Sequence, residues 1–347
     1  MPRYRVNCST MMFLVILQGA GVVLFFSWYT QLIHVLLLSS WRSGSSFLGQ
    51  VFSQHPSVFY LMEALRMAVR DLLRSVFQCD FSVMESYLPE YPNVSSLFMW
   101  SHSRALCSPP ICSLTPRNQF SNQTLWVEQA CDSYSHVVYK DVRLFELESL
   151  YPLLQDSNLD LRIIHLVRDP RAVVRSREES KRIKEAEVQY QVMQEICRSH
   201  VRINERAVLK PPPFLKGRYK LVRYEDMARN PLEEINAMYQ FVGLEMTTEL
   251  ATWIYKVTHG KGKGSIKEAF KITSRSATNV SQAWRTMLPY NKVRRIQEVC
   301  KGAMSLLGYR TVNSEKEQKR LDIDLLVPRE PYQFSWLPDK TQHPNNN

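Results

Sequence analysis

The densest chemistry in the chain lies in eight consecutive residues, Ser39, Ser40, Trp41, Arg42, Ser43, Gly44, Ser45 and Ser46. Five hydroxyls, a guanidinium and a glycine together suit one task, the holding of an oxyanion. Successive backbone N–H groups in such a turn converge on an anion, and glycine lets the backbone come close. The serine hydroxyls add donors. Arg42 adds a positive charge that can follow charge onto a leaving oxygen. The spacing is not that of a Walker A loop: the first glycine is missing, and Arg stands where a Lys-Ser/Thr pair belongs. An ordinary ATP-hydrolysing P-loop enzyme is therefore disfavoured. Taken alone, the segment reads equally well as a serine-rich strand end with a surface arginine.

A second segment shifts that balance. Arg168, Asp169, Pro170 and Arg171 begin a run that continues to Arg175 and Ser176. Proline can open a helix at its first position. Arg168 at a strand end and Ser176 two turns later can clamp a further phosphate. Glu63 is the candidate general base, because it follows the apolar run Val58 to Met62 and would reach the same sheet edge as the loop. Its bland alternative is a surface or capping glutamate. His55, beside Pro56, is a weaker candidate and reads as structural. Lesser candidates are Arg143, Tyr224, Glu225, Asp226, the Trp284-Arg285 pair and the basic loop His259 to Gly264.

These residues need a scaffold that brings strand ends to one edge. Short apolar runs suit buried parallel strands: His34–Ser39, Val58–Met62, His136–Lys140, Leu161–Val167 and Tyr219–Arg223. Helical stretches lie between them, at Ala64–Phe77, Leu144–Leu154 and Glu185–Leu209, with others starting near Phe47, Pro231 and Tyr290. The alternation predicts an α/β fold, a P-loop-like parallel sheet flanked by helices. Residues Cys79 to Thr124 are rich in Pro, Ser, Cys and aromatics, and read as irregular. The tail beyond Gly308 reads as a poorly ordered extension.

The N-terminus sets the compartment. Met11 to Tyr29 carry no charge, and the apolar stretch continues to Ile33. A spanning helix needs about 20 such residues. Arg3 and Arg5 precede it and no Lys or Arg follows until Arg42, so the positive-inside bias puts residues 1–10 in the cytosol. A cleaved signal peptide is the alternative, without a clear small-x-small cleavage site. The expected division is a cytosolic tail over 1–10, a transmembrane signal-anchor over 11–33, a lumenal domain over 34–310 and a C-terminal extension over 311–347. Of the seven cysteines only Cys8 is cytosolic, leaving an even lumenal set whose pairing the sequence does not give. Sequons at Asn93, Asn122 and Asn279 fit that topology. The formal charge of +11 suits anionic ligands. Lumenal placement disfavours nucleic acid, and no cysteine spacing suggests zinc.

The run HVLLLSSWRSGSSFLGQVFSQHP resembles the 5′-phosphosulfate-binding loop of Golgi carbohydrate sulfotransferases, and LRIIHLVRDPRAVVRSR resembles their 3′-phosphate-binding segment. VFYLME, SHVVYKDVR, YKLVRYEDMARNPL and NVSQAWR are further matches. The resemblance runs from about His34 to Arg310. It points to the Gal/GalNAc/GlcNAc 6-O-sulfotransferases, and among them to the N-acetylglucosamine enzymes. It implies 3′-phosphoadenosine 5′-phosphosulfate (PAPS) as donor and no metal. It also implies a sugar 6-hydroxyl as acceptor, in a GlcNAc-containing glycoprotein or keratan-type chain, and a type II Golgi membrane location. Ser39 to Ser46 would hold the phosphosulfate, and the segment from Arg168 to Ser176 the 3′-phosphate.

One departure stands out. In relatives the glutamate is followed by Pro and an aromatic-rich stretch; here Glu63 runs straight into Ala64-Leu65-Arg66-Met67-Ala68-Val69-Arg70-Asp71. That piece borders the acceptor site in relatives. A PAPS-binding pseudoenzyme with an incomplete acceptor site is therefore the alternative to an active enzyme. A nucleotide kinase is a more distant one. The sequence gives no oligomeric state.

Overall fold

The computed structural model describes residues 5–6, 11–17, 20–26, 29–30, 32–62, 70–82, 102–108, 120–179, 186–262 and 272–327. Five strands form the central sheet: β1 (Ile33–Ser39), β2 (Val58–Met62), β3 (His136–Asp141), β4 (Asp160–Val167) and β5 (Tyr219–Arg223). Their order is β2-β3-β1-β4-β5 and every pairing is parallel. All five lie where the apolar runs predict, within two residues at each end. The reason is burial on both faces. Leu36, Leu38, Phe59, Leu61 and Ile163 enter one core, and Val35, Leu37, Tyr60, Ile164 and Leu166 enter the other. Alternating side chains of one strand thus feed opposite layers.

Helix α1 (Ser45–Ser53) follows β1, and α2 (Arg70–Phe77) and α3 (Phe120–Ser133) follow β2. The stretch expected as a helix over 144–154 becomes a 3₁₀ turn, Leu147–Leu150, and one helical turn, α4 (Tyr151–Leu154). Pro152 suits only the first helical turn, so the helix cannot begin earlier. Helix α5 (Pro170–Glu179) follows β4, and the long α6 (Ala186–Asn204) ends in a π-turn over Glu205–Leu209. After β5 come α7 (Tyr224–Arg229), α8 (Pro231–Val242) and α9 (Thr248–Thr258). A short hairpin pairs β6 (His259–Lys261) with β7 (Arg275–Ser276), and α10 (Ala277–Gln282) follows.

The chain divides into two compact units. The first takes Met1–Arg168 and Ile203–Ser281; the second takes Asp169–Arg202 and Gln282–Asn347. The second contains α5, most of α6, α11 (Trp284–Met287), α12 (Tyr290–Val299), α13 (Lys301–Leu306) and α14 (Glu315–Lys319). The single closing helix expected over 290–307 is broken at Cys300, which leaves helical geometry at φ −109° and ψ 12° and is bonded to Cys197. Cys79 and Cys131 form a second disulfide.

Two further expectations meet a different structure. The tail beyond Gly308 is not loose as far as Val327: Val312 and Gln318 are buried, and Tyr309 bridges Leu326. Its anchors are distant side chains, which no local pattern announces. At the other end, Met11–Leu17 and Ala20–Phe26, within the stretch expected as a signal-anchor, pair as an antiparallel ladder. The Val, Ile and Phe of these two segments suit strands. No helix among the described residues is long and apolar enough to cross a membrane.

Buried histidines give the fold an acid limit. Burial pushes His34, His136 and His200 down to about 4. Unfolded, each titrates near 6.5, so protons are taken up only on unfolding. Stability is therefore full above about pH 6.5 and falls as pH drops toward the folded value, by about 2 kcal/mol per histidine at pH 5. Urea midpoints at pH 7 and pH 5 should differ accordingly; equal midpoints would contradict this account.

Candidate active site

The sheet delivers its functional residues to the carboxyl edge, where open α/β sheets bind ligands. Ser39 ends β1 beside Leu166 of β4. The chain then turns sharply. The Ser43 N–H and hydroxyl both donate to the Ser40 carbonyl, at 3.2 and 2.6 Å. Ser43 thus closes the turn with the hydroxyl that was expected to meet the ligand. Arg42 and Gly44 have left-handed backbones, with φ 73° and 99°. For arginine this costs energy and is found where surrounding structure enforces it.

The turn leaves donors open. Phe47 and Leu48 N–H groups bond to the Gly44 carbonyl, while Gly44, Ser45 and Ser46 N–H groups meet no acceptor among the described residues. These are the free donors of a helix N-terminus, with the positive end of the α1 dipole behind them. The Ser39 hydroxyl is buried without a partner.

Arg168 carries the strongest electrostatic signal. It is 6% exposed and pairs with no carboxylate among the described residues. Its Nη1 donates to the Arg42 carbonyl at 3.2 Å and its Nη2 to the Val280 carbonyl at 3.2 Å. Its Nε has no partner, and its guanidinium lies 4.2 Å from the Tyr224 ring centre. A buried cation without counter-charge is expensive. The fold therefore fits an anion supplied from outside, and two carbonyl bonds aim the guanidinium at the loop that would receive it.

Tyr224 is the residue that sequence reasoning undervalued. Its ring is the floor of the loop. A Cβ built on Gly44 would fall 2.4 Å from it. Gly44→Ala is therefore expected to displace Tyr224 and the loop together, raising the KM for the donor about a hundredfold. An unchanged KM would show that the close approach is unimportant. Beside Tyr224 opens a small cleft of about 50 Å³, partly open to solvent, lined by Phe47, Met227, Val257 and Ile272, with Thr273 and Arg275 as polar groups. The Thr273 hydroxyl is buried and unpaired.

Lys140 is the other omission. It is fully buried on β3, between Leu37 of β1 and Met62 of β2. A lysine inside an apolar strand was the available signal. Its charge and, more strongly, burial lower the pKa of His102, whose carbonyl accepts from Gln50 of α1 at 2.6 Å. Glu63 lies outside the described residues, immediately after Met62. His55 is structural: Ser57 N–H donates to its Nδ1 and its Nε2 meets the Glu245 carbonyl, both at 3.1 Å.

In the second unit, Pro170 opens α5, and Arg175 pairs with Glu179 at 3.3 Å. Ser176 is buried on the same helix. Asp169 and Arg171 are occupied with each other: Arg171 is fully buried and donates to both carboxylate oxygens, at 2.9 and 2.7 Å. Arg285, one of the lesser candidates, spends its guanidinium on the Gln318, Arg320 and Ile323 carbonyls. Asp226 pairs with Arg223 at 2.8 Å. No cluster of His, Cys, Asp and Glu suited to a metal occurs among the described residues.

The family described as "Sulfotransferase domain" matches residues 32–308. The chain belongs to the sulfotransferase family. It is 53% identical to human (Homo sapiens) carbohydrate sulfotransferase 6 over 355 aligned positions, covering 90% of each chain. It is 54% identical to human carbohydrate sulfotransferase 5, over 88% of this chain and 84% of that one. With mouse (Mus musculus) carbohydrate sulfotransferase 5 the identity is 48% over the whole of both chains. This sulfotransferase is of the PAPS-dependent carbohydrate type. The mouse alignment needs 396 positions to take in 347 residues, so that relative has residues inside the matched span that this sulfotransferase lacks. The short path after Glu63 is in keeping with that difference.

Proposed function

We propose that this protein transfers a sulfuryl group from PAPS to the 6-hydroxyl of a glycan sugar, N-acetylglucosamine in a glycoprotein or keratan-type chain. The observation that carries the donor half is the uncompensated, buried Arg168 facing a loop with three open N–H donors. Gly44, Ser45 and Ser46 N–H groups and the Ser39 hydroxyl bind the phosphosulfate end. Arg42 balances the charge that develops on the bridging oxygen. Arg168 takes a phosphate oxygen through its open Nε. Arg168 and Ser176 keep the 3′-phosphate role that the resemblance gives them.

The donor supplies an activated sulfuryl group for in-line displacement, much as phosphoryl donors do. The residues supply position and proton transfer. Glu63 takes the proton of the attacking hydroxyl, and Lys140 sets a positive charge on β3 beside Met62, the last residue of β2. We further propose a signal-anchor over 11–33 and a Golgi lumenal domain. An isolated two-stranded ladder has open edges that a bilayer cannot satisfy, so within lipid this apolar segment must be helical. Two disulfides suit the oxidising lumen.

The test is transfer from radiolabelled PAPS to a panel of GlcNAc-, Gal- and GalNAc-terminated glycans. Label on the GlcNAc 6-hydroxyl is expected. The missing residues relative to the mouse relative favour one other reading, a PAPS-binding protein with an incomplete acceptor site. PAP binding by calorimetry with no transfer to any glycan would select it, and absent binding would remove both.

A further inference from the structure

The chain goes on folding beyond the span 32–308 that the family matches. The Arg310 N–H donates to the Leu325 carbonyl at 2.9 Å, and the Val327 N–H to the Gly308 carbonyl at 2.9 Å. Three side chains of the second unit grip this returning segment. Arg285, 2% exposed, donates to the Gln318 carbonyl at 3.0 Å, to the Ile323 carbonyl at 3.0 Å and to the Arg320 carbonyl. Gln318 is fully buried and its Nε2 returns to the carbonyls of Arg285 and Leu288, at 3.0 and 2.8 Å. Gln297 reads both backbone groups of Val312, accepting at 2.9 Å and donating at 3.0 Å.

The same segment reaches the start of α5. Arg171 Nη1 donates to Gln297 Oε1 and to the Arg310 carbonyl, each at 2.9 Å. Its guanidinium lies 4.0 Å from the Trp284 ring centre and forks onto Asp169. Asp169 Oδ1 in turn accepts the Arg171 N–H at 2.9 Å, capping the helix. α5 also packs against α11 and α12. Each guanidinium nitrogen of Arg171 is thus engaged, and Nη1 is held by Gln297 and Arg310. A buried charge held by several oriented partners tolerates little displacement.

We infer that residues 309–327 position the first two turns of α5 for the donor's 3′-phosphate, with Arg285, Gln297 and Gln318 as positioning residues. This rests on the proposed phosphate role of Ser176. The segment acts on donor affinity without touching the donor. Misplacement by about 1 Å at such a site costs affinity steeply, so the effect falls on KM for PAPS and not on proton transfer.

The experiment uses the full chain with Gln297→Met and Gln318→Met, near-isosteric changes, and Arg285→Ala as the larger one. We expect KM for PAPS and Kd for PAP to rise about tenfold, with kcat and acceptor KM within about twofold. Should Arg285→Ala not fold, the two glutamine variants decide. A lowered Tm with unchanged KM in both would make the segment merely structural and overturn the inference. Failure of the unmodified chain to bind PAP would overturn the functional reading and this inference with it; wild-type binding alone with unaffected variants overturns only the inference.

Discussion

Arg168→Met is expected to abolish donor binding while leaving the fold almost as stable as before. The buried guanidinium has two carbonyl partners and an aromatic ring, but no carboxylate among the described residues. Its removal strands two carbonyls, at about 1–3 kcal/mol each, and relieves the burial of an unpaired charge, which offsets part of that loss. In the complex the balance differs. Truncating one partner of a buried, hydrogen-bonded charge pair costs about 2–5 kcal/mol. PAP affinity should fall by roughly a hundredfold to a thousandfold, and the thermal stabilisation by PAP should vanish. Arg168→Lys should not restore it, because an ammonium cannot keep both carbonyls and still offer a third donor in plane. If Arg168→Met binds PAP like the wild type, the anion does not sit at this guanidinium.

Glu63→Gln should separate chemistry from binding. A positioned general base contributes about 10²–10⁴-fold, so kcat should fall by at least a hundredfold. The amide keeps the size of the side chain but cannot take the hydroxyl proton. PAP affinity should stay within about twofold, since the proposed donor contacts lie at the ends of β1 and β4 and on α1 and α5. The acid limb of the wild-type pH–rate profile should disappear from what activity remains. A kcat reduced less than about threefold would remove Glu63 from the reaction. The carboxylate would then have to come from elsewhere on the carboxyl edge, where Asp141 holds one buried oxygen without a partner.

The sheet was legible because its strands are buried on both faces. Val35–Leu38 is apolar without interruption, Ile163–Val167 is broken only by the buried His165, and the breaks after them are serine, arginine and proline. The anion loop was legible in composition but not in assignment. Ser43 reads as one more donor until its hydroxyl is found on the Ser40 carbonyl. Tyr224 could not be ranked, because its work depends on Gly44 and Arg168, far away in sequence. Arg171 and Arg175 look alike in the string of letters, yet one is locked to Asp169 and the other lies by Glu179 near the surface. The tail to Val327 was misjudged for the same reason. Its charge pattern says solvent, while Arg285 and Gln318 hold it by bonds to backbone carbonyls that have no sequence signature.

The Cys197–Cys300 bond has a meaning for how the second unit comes together. That unit is made from two stretches of chain separated by residues 203–281, so its halves meet much as two binding partners on a long tether would. Closing a loop with a sequence separation of 103 removes about 4–5 kcal/mol of chain entropy from the unfolded ensemble. In the language of tethered partners, the bond raises the local concentration of one half around the other by roughly a thousandfold. A chain kept reduced must assemble the helix bearing Ser176 without that advantage.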